Sequence, residues 1–276
     1  MKILDETKRL LHQYNIRPRK RLGQSFMVDD ASLMKMGKYA ELKQSDSILE
    51  IGAGLGFLTE ILAEKTRKVI AIEKDPKLFG ILNERISTLE NVETIHGDFL
   101  KIKIPEFNKV VSNPPYAISS PLIFRLLEKR FDVGILTFQE EFAKRLVAQK
   151  GTEDYGRLTV MVYYYADMEL LDCLPESAFY PKPKVSSYIV RFKPREPPFE
   201  VLDAKLFSDV VRTLFTQRSR KVRKALRVFC REIAIPKMGS KEFIATLPFL
   251  ESRVEQLAPE DLGALSNAIH EKLSEK

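Results

Sequence analysis

The stretch LEIGAGLGFLTE, Leu49 to Glu60, passes from an apolar run through Gly52, Gly54 and Gly56 into a segment of helical character. Read as strand, turn and helix, it sets glycines where the chain turns tightly and where backbone can approach a ligand. That point is the carboxyl end of a strand, where open α/β sheets bind nucleotides. Alone the signal is weak, because Gly-x-Gly is also a plain tight turn and Gly-x-Gly-x-Gly departs from the dinucleotide spacing Gly-x-Gly-x-x-Gly. The next apolar run, KVIAIEKD, strengthens it. It ends in Glu73, 23 residues after Glu50, and an acidic side chain at the end of a second strand can accept both hydroxyls of a ribose. A third run ends HGDFL, setting Asp98 and Phe99 where an adenine would lie, the carboxylate accepting from its amino group and the ring packing on its face. Each of these residues taken singly reads equally well as a solvated loop carboxylate or a core ring. Three at successive strand ends read together as a nucleotide site.

Outward from this core, short β-branched runs alternate with amphipathic stretches from Ser47 to about Arg191, the pattern of a parallel sheet covered by helices. The expected strands are SILEIG, KVIAIE, VETIHG, KVVSN and VGILTFQ, then MELLDCL and SSYIVRF. Helices are expected near Thr59–Lys65, Pro76–Leu89, Pro121–Lys129 and Glu140–Lys150. The segment KPREPPFE, Lys193 to Glu200, carries three prolines and can hold neither helix nor strand. Beyond it the spacing is helical only: Phe207, Val210, Val211 and Leu214 recur at helical intervals, as do Val222, Ala225, Leu226 and Phe229. The expectation is a Rossmann-like α/β domain over residues 1–192 and a small all-helical domain over 193–276.

Composition narrows the classes. The chain has 276 residues, 44% hydrophobic and 30% charged, and no apolar run approaches the roughly 20 residues that span a bilayer. Its N-terminal stretch lacks the apolar core of a signal peptide, so a cytoplasmic location is expected. The two cysteines, Cys173 and Cys230, are far apart and the three histidines form no ligand cluster with them, so neither a disulfide nor a metal site is expected. A net charge of +7 favours a polyanionic partner.

The fourth strand delivers VVSNPPYAISSP, Val110 to Pro121. A nucleobase amino nitrogen is a poor nucleophile because its lone pair is delocalised into the ring, and it carries two hydrogens that need acceptors. The Asn113 side-chain oxygen and the Pro114 carbonyl can take those hydrogens, and Tyr116 supplies a face on which a base can stack, worth about 1–3 kcal/mol. On its own the tetrapeptide reads as readily as a strand-ending turn with a buried Tyr.

Joined to the nucleotide site, the motif has the form [Asp/Asn]-Pro-Pro-[Tyr/Phe] of S-adenosylmethionine-dependent amino-group methyltransferases. The segments KRLGQSFMVD, EIGAGLGFLTE, IEKD, GDFL, YGRLTV, FYPKPKVSS and LFTQRSRKVRKALR together, from about Arg19 to Leu265, resemble the small-subunit ribosomal RNA adenine N6,N6-dimethyltransferase family. The resemblance implies that Gln24, Ser25 and Met27 lie against the methionine part of the cofactor. It likewise implies that Gly52 and Gly54 back the cofactor, that Glu73 holds its ribose, and that Asp98 and Phe99 hold its adenine. Asn113, Pro114 and Tyr116 would hold the target adenine, with Phe179 stacking on its other face. Three residues depart from the family pattern: Ser25 stands for Asn, Met27 for Leu, and Pro114 for the usual aliphatic residue, a form more typical of DNA adenine methyltransferases. The implied substrate is a pair of adjacent adenosines near the 3′ end of small-subunit rRNA, within a small ribosomal subunit or its precursor. The resemblance further implies a monomer with a role in subunit biogenesis. The alternatives are a DNA adenine methyltransferase, a large-subunit rRNA methyltransferase, and a noncatalytic assembly factor on the same fold.

In the helical domain, QRSRKVRKALR holds Arg218, Arg220, Lys221, Arg223, Lys224 and Arg227 with no acidic residue between them. A charge run is more often a solvated face, but one without interleaved carboxylates accumulates potential, so these six residues are the expected RNA contacts.

Overall fold

The computed structural model describes residues 2–18, 23–234 and 237–274; residues 20–22, which open the KRLGQSFMVD stretch, lie outside them. In chain order the elements are α1 (Ile3–Gln13), β1 (Phe26–Met27), α2 (Asp30–Tyr39), β2 (Ser47–Ile51), α3 (Phe57–Ala63), β3 (Lys68–Glu73), α4 (Pro76–Arg85), β4 (Val92–His96) and β5 (Lys109–Ser112). There follow α5 (Ser119–Leu127), β6 (Val133–Gln139), α6 (Glu140–Leu146), α7 (Arg157–Tyr165), β7 (Ala166–Leu174), β8 (Phe179–Tyr180), β9 (Ser187–Pro194), α8 (Ala204–Phe215), α9 (Val222–Glu232), α10 (Lys237–Ala245) and α11 (Pro259–Ser274). The chain divides into two compact units, Met1–Ala143 with Asp167–Pro194, and Lys144–Ala166 with Arg195–Lys276.

The first unit is built on a seven-stranded sheet of order β4-β3-β2-β5-β6-β9-β7. Strands β2 to β6 are parallel along this order and β9 pairs antiparallel with β6. Residues of β2 and β5 are buried throughout, as expected of central parallel strands covered on both faces, and their apolar residues, Ile48, Leu49, Ile51, Val110 and Val111, do not alternate with exposed polar ones. The edge strand β4 is only partly buried. Because β2 has β3 on one side and β5 on the other, the order reverses direction there, and the crevice at their carboxyl ends is where this class of sheet takes a ligand. Local signals fix the helices around it. Pro76 opens α4 behind Asp75, whose carboxylate accepts from the amides of Lys77 and Leu78, and Asp29 caps α2 in the same way. A two-residue pair, β1 with β8, sets Phe26 opposite Tyr180 and Met27 opposite Phe179, joining two segments that are far apart in sequence.

The second unit is helical. Phe207, Val210, Val211 and Leu214 of α8, and Val222, Ala225, Leu226 and Phe229 of α9, are buried as their spacing requires. Tyr164, Phe199 and Phe207 pack ring on ring, and Gly263 makes room for them: a Cβ there would lie 2.4 Å from the Phe199 ring. Residues 144–166, placed by the sequence with the sheet, group with these helices instead. Several bonds tie them in: the Tyr155 hydroxyl donates to the Leu257 carbonyl at 2.8 Å, the Gly151 amide donates to Glu255, and the Arg218 guanidinium donates to the Thr152 and Glu153 carbonyls. Among the described residues no helix is long and apolar enough to cross a membrane, and no group of three or more His, Cys, Asp or Glu is placed to hold a metal ion.

Candidate active site

The glycine turn after β2 adopts left-handed backbone, with φ of 76° at Gly52, 59° at Gly54 and 84° at Gly56. Space as well as conformation demands glycine: a Cβ on Gly52 would meet Pro115 Cδ at 2.7 Å, and one on Gly54 would lie 3.3 Å from the Phe26 ring. The backbone thus forms one wall of a cavity of about 400 Å³ at the β2/β5 crevice. Gln24, Ser25, Met27, Gly52, Gly54, Glu73, Asp98, Phe99, Asn113 and Pro114 all line it, so ten of the residues singled out in the sequence meet at one place.

Glu73, at the end of β3, is 7% exposed. Its Oε2 accepts from the Gly54 amide at 2.9 Å, and its Oε1 accepts from the amides of Lys74 at 2.8 Å and Asp75 at 2.7 Å. Burial pushes its pKa up while these three donors pull it down, and burial prevails. Oε2, with a single amide donor, retains a second lone-pair direction. Asp98 differs: Lys74 Nζ donates to its Oδ2 at 2.9 Å and the Leu100 amide to its Oδ1 at 3.0 Å, and the hydrogen bond from Lys74 foremost lowers its pKa. Behind the buried Phe99 ring stands Arg125 of α5, its guanidinium 5.1 Å from the ring centroid and donating to the carbonyls of Phe99 and Ile102, which pins this loop.

Glu50 was not singled out for the site, yet it lines the cavity. It is buried in β2 with the Thr59 hydroxyl donating to its Oε2 at 2.6 Å, and burial pushes its pKa from 4.5 to about 8. The available signal was a carboxylate inside an otherwise apolar strand.

At the end of β5, the Asn113 Nδ2 donates to the Ser25 carbonyl at 3.2 Å and its Oδ1 accepts from the Thr137 hydroxyl. The Ser25 hydroxyl in turn donates to the Pro181 carbonyl at 2.8 Å. Tyr116 does not line the cavity; its hydroxyl is 2.8 Å from Ser187 Oγ, and burial pushes its pKa up to about 12. Phe179 is also buried outside the cavity, its ring centroid 6.3 Å from that of Tyr116 at an interplanar angle of 68°. The two rings lie edge to face, an arrangement that aromatic pairs favour over a parallel sandwich.

The basic run is less open than its sequence implies. Glu251 pairs with Lys221 and Arg223, and Glu255 with Arg218, so carboxylates from elsewhere in the second unit oppose half of it. Arg220, Lys224 and Arg227 are exposed and have no side-chain partner among the described residues.

Residues 15–269 match the family described as "Ribosomal RNA adenine dimethylase". The chain is 45% identical to a probable ribosomal RNA small subunit methyltransferase A of Methanosarcina acetivorans, over 94% of this chain and 96% of that one. It is 43% identical to the protein of the same description from Methanothermobacter thermautotrophicus, over 96% of both. Among solved structures it resembles a dimethyladenosine transferase from Plasmodium falciparum, with TM-score 0.74 and 30% identity over 86% of this chain and 94% of that one. It also resembles the 23S rRNA methyltransferase ErmE, with TM-score 0.64 and 28% identity over 89% and 99%.

Proposed function

The chain belongs to the ribosomal RNA adenine dimethylase family and is an rRNA adenine dimethyltransferase, and from that premise we propose that it carries methyl groups from S-adenosylmethionine to N6 of adenosines in small-subunit rRNA. One observation carries the reading: Asn113 and Pro114 open onto the same cavity as Glu73 and the glycine turn, so an acceptor pair for an amine and a nucleotide cradle share one space.

The residues fit the cofactor. The cavity is of ligand size, its glycine wall has no room for side chains, and Glu73 offers two carboxylate oxygens already braced by backbone amides. Glu73 holds the ribose hydroxyls, Asp98 accepts from the adenine amino group, and Phe99 packs on the ring. Gly52 and Gly54 back the methionine part, with Gln24, Ser25 and Met27 along it. When bound, the cofactor supplies an electrophilic methyl group on a sulfonium.

Asn113 Oδ1 and the Pro114 carbonyl would accept the two N6 hydrogens of the target adenine and so fix the amine in the cavity that the cofactor shares. Positioning of this kind replaces any strong base, since a carboxamide cannot take a proton, and the proton released from the methylated amine passes to solvent. The target must first leave its stack, at a cost of a few kcal/mol that is smaller for an unpaired nucleotide. Stacking on Tyr116, with Phe179 on the other face of the base, offsets that cost. The second transfer, onto an amine with one hydrogen left, needs room for a methyl group beside Asn113. Arg220, Lys224 and Arg227 contact phosphates, and the substrate is a pair of adjacent adenosines near the rRNA 3′ end.

The test is transfer of labelled methyl from S-adenosylmethionine to small subunits, naked small-subunit rRNA, large subunits and duplex DNA, with the product mapped. Dimethyladenosine near the 3′ end of the small-subunit rRNA is expected. Label confined to large subunits or DNA overturns the assignment.

A further inference from the structure

Two buried hydroxyls stand directly behind the residues that receive the target base. Thr137, on β6, is fully buried and donates to Asn113 Oδ1. Ser187, on β9, is equally buried and shares a hydrogen bond of 2.8 Å with the Tyr116 hydroxyl. The sheet register places both. Ser112 is paired with Leu136 in the parallel β5–β6 ladder, so the next residues along, Asn113 and Thr137, come side by side. In the antiparallel β6–β9 ladder Thr137 is opposite Ile189 and Gln139 is opposite Ser187. With a side-chain period of two, Thr137 and Ser187 therefore share one face of the sheet.

We propose that Thr137 and Ser187 are positioning residues for methyl transfer, their hydroxyls fixing the orientation of the Asn113 carboxamide and of the Tyr116 ring. The inference rests on the roles given above to Asn113 and Tyr116. A carboxamide can sit in two orientations of nearly equal shape, and only one presents an acceptor to an incoming amine. Here the choice is determined from both ends. The Ser25 carbonyl accepts from Nδ2, so the reversed orientation would face two acceptors at each other. The Thr137 hydroxyl donates to Oδ1, occupying one lone-pair direction and leaving the second for an N6 hydrogen. Removing the Thr137 hydroxyl leaves the Ser25 carbonyl as the one partner of the group among the described residues. Ser187 does the analogous work for Tyr116: burial keeps the phenol protonated, and a bond at its far end fixes the direction in which the ring points.

Thr137→Val keeps shape and burial while deleting the donor, and Thr137→Ser restores it. Steady-state kinetics on small subunits should show kcat for Thr137→Val lowered roughly two- to tenfold, the range of one neutral hydrogen bond, with the affinity for S-adenosylhomocysteine unchanged by calorimetry. Thr137→Ser should recover most of the loss. In proton–nitrogen spectra the Asn113 side-chain amide pair, held at fixed shifts in the parent, should move toward averaging in Thr137→Val alone. For the second hydroxyl, Ser187→Ala should lower kcat in the parent but add nothing in Tyr116→Phe, where its partner is already gone. A Thr137→Val enzyme with parental kcat and an unmoved Asn113 signal overturns the inference, as does a loss that Thr137→Ser does not repair. Asn113→Ala separates this failure from that of the functional reading: if it retains transfer, the role of Asn113 itself is wrong, whereas if it is inactive and Thr137→Val is normal, only the positioning role fails.

Discussion

Replacing Glu73 by Gln tests the cofactor cradle with the least change of shape. In the parent, Oε1 accepts from two amides, those of Lys74 and Asp75, and Oε2 from one, that of Gly54. A glutamine has a single acceptor oxygen, which will stay with the pair and turn its NH2 group toward Gly54. The Gly54 amide then loses its acceptor in a buried turn, a cost of about 1–3 kcal/mol, partly offset because a neutral side chain is cheaper to bury than a carboxylate whose pKa burial has raised. The cofactor loses more, since a ribose hydroxyl now meets a donor where it had a charged acceptor. Hydrogen bonds to charged groups are worth about 1.5–3 kcal/mol, so the dissociation constant of S-adenosylhomocysteine should rise on the order of ten- to hundredfold. Calorimetry measures this directly, and a thermal unfolding curve measures the loop cost separately. A lowered melting temperature with unchanged affinity would show that Glu73 only braces the glycine turn, and the assignment of the ribose to it would be wrong.

Glu50→Gln should reveal a proton held in the core. The folded chain keeps Glu50 protonated up to about pH 8 while the unfolded chain loses that proton near 4.5, so stability is full below the lower value and falls as pH rises through the window. Relative to the parent, Glu50→Gln should gain stability steadily across that window in denaturant titrations, and a difference that does not vary with pH would refute the buried acid. Tyr116→Ala should lose most transfer activity, whereas Tyr116→Phe, deprived only of the hydrogen bond to Ser187, should lose roughly 0.5–1.5 kcal/mol of stability and far less activity. An inactive Phe variant would rule out stacking as the main contribution. Arg220→Glu combined with Lys224→Glu should weaken small-subunit binding and flatten its salt dependence by roughly 0.7–0.9 for each phosphate no longer neutralised, leaving cofactor affinity untouched. An unaltered salt titration would return this face to plain solvation.

The sheet was legible because burial leaves a trace in composition. Strands covered on both faces, such as SILEI and KVVS, are buried throughout and carry their apolar residues without a polar alternation, and the glycines and carboxylates at strand ends stand out against them. The site was legible for the same reason, since its residues sit at strand ends in chain order. What stayed hidden depends on long-range register. Two-residue strands such as β1 and β8 have no period to detect, and α7, RLTVMVYYY, is rich in β-formers yet is helical, with six of its residues buried in the second unit. Thr137 and Ser187 are ordinary strand residues until a parallel ladder brings one beside Asn113 and a tyrosine reaches the other. The one carboxylate that opposes both Lys221 and Arg223, that of Glu251, comes from a turn thirty residues downstream of Lys221, beyond the reach of any helical spacing rule.

The central claim is that Asn113, at the rim of the cofactor cavity, presents an rRNA adenine amine for methylation. Nucleoside mass spectrometry of small-subunit rRNA, after incubation of subunits with S-adenosylmethionine and either the parent or Asn113→Ala, addresses it most directly. The expected result is N6,N6-dimethyladenosine with the parent and none with Asn113→Ala, while both proteins bind S-adenosylhomocysteine with similar affinity. Dimethyladenosine at the parental level from Asn113→Ala would contradict the account.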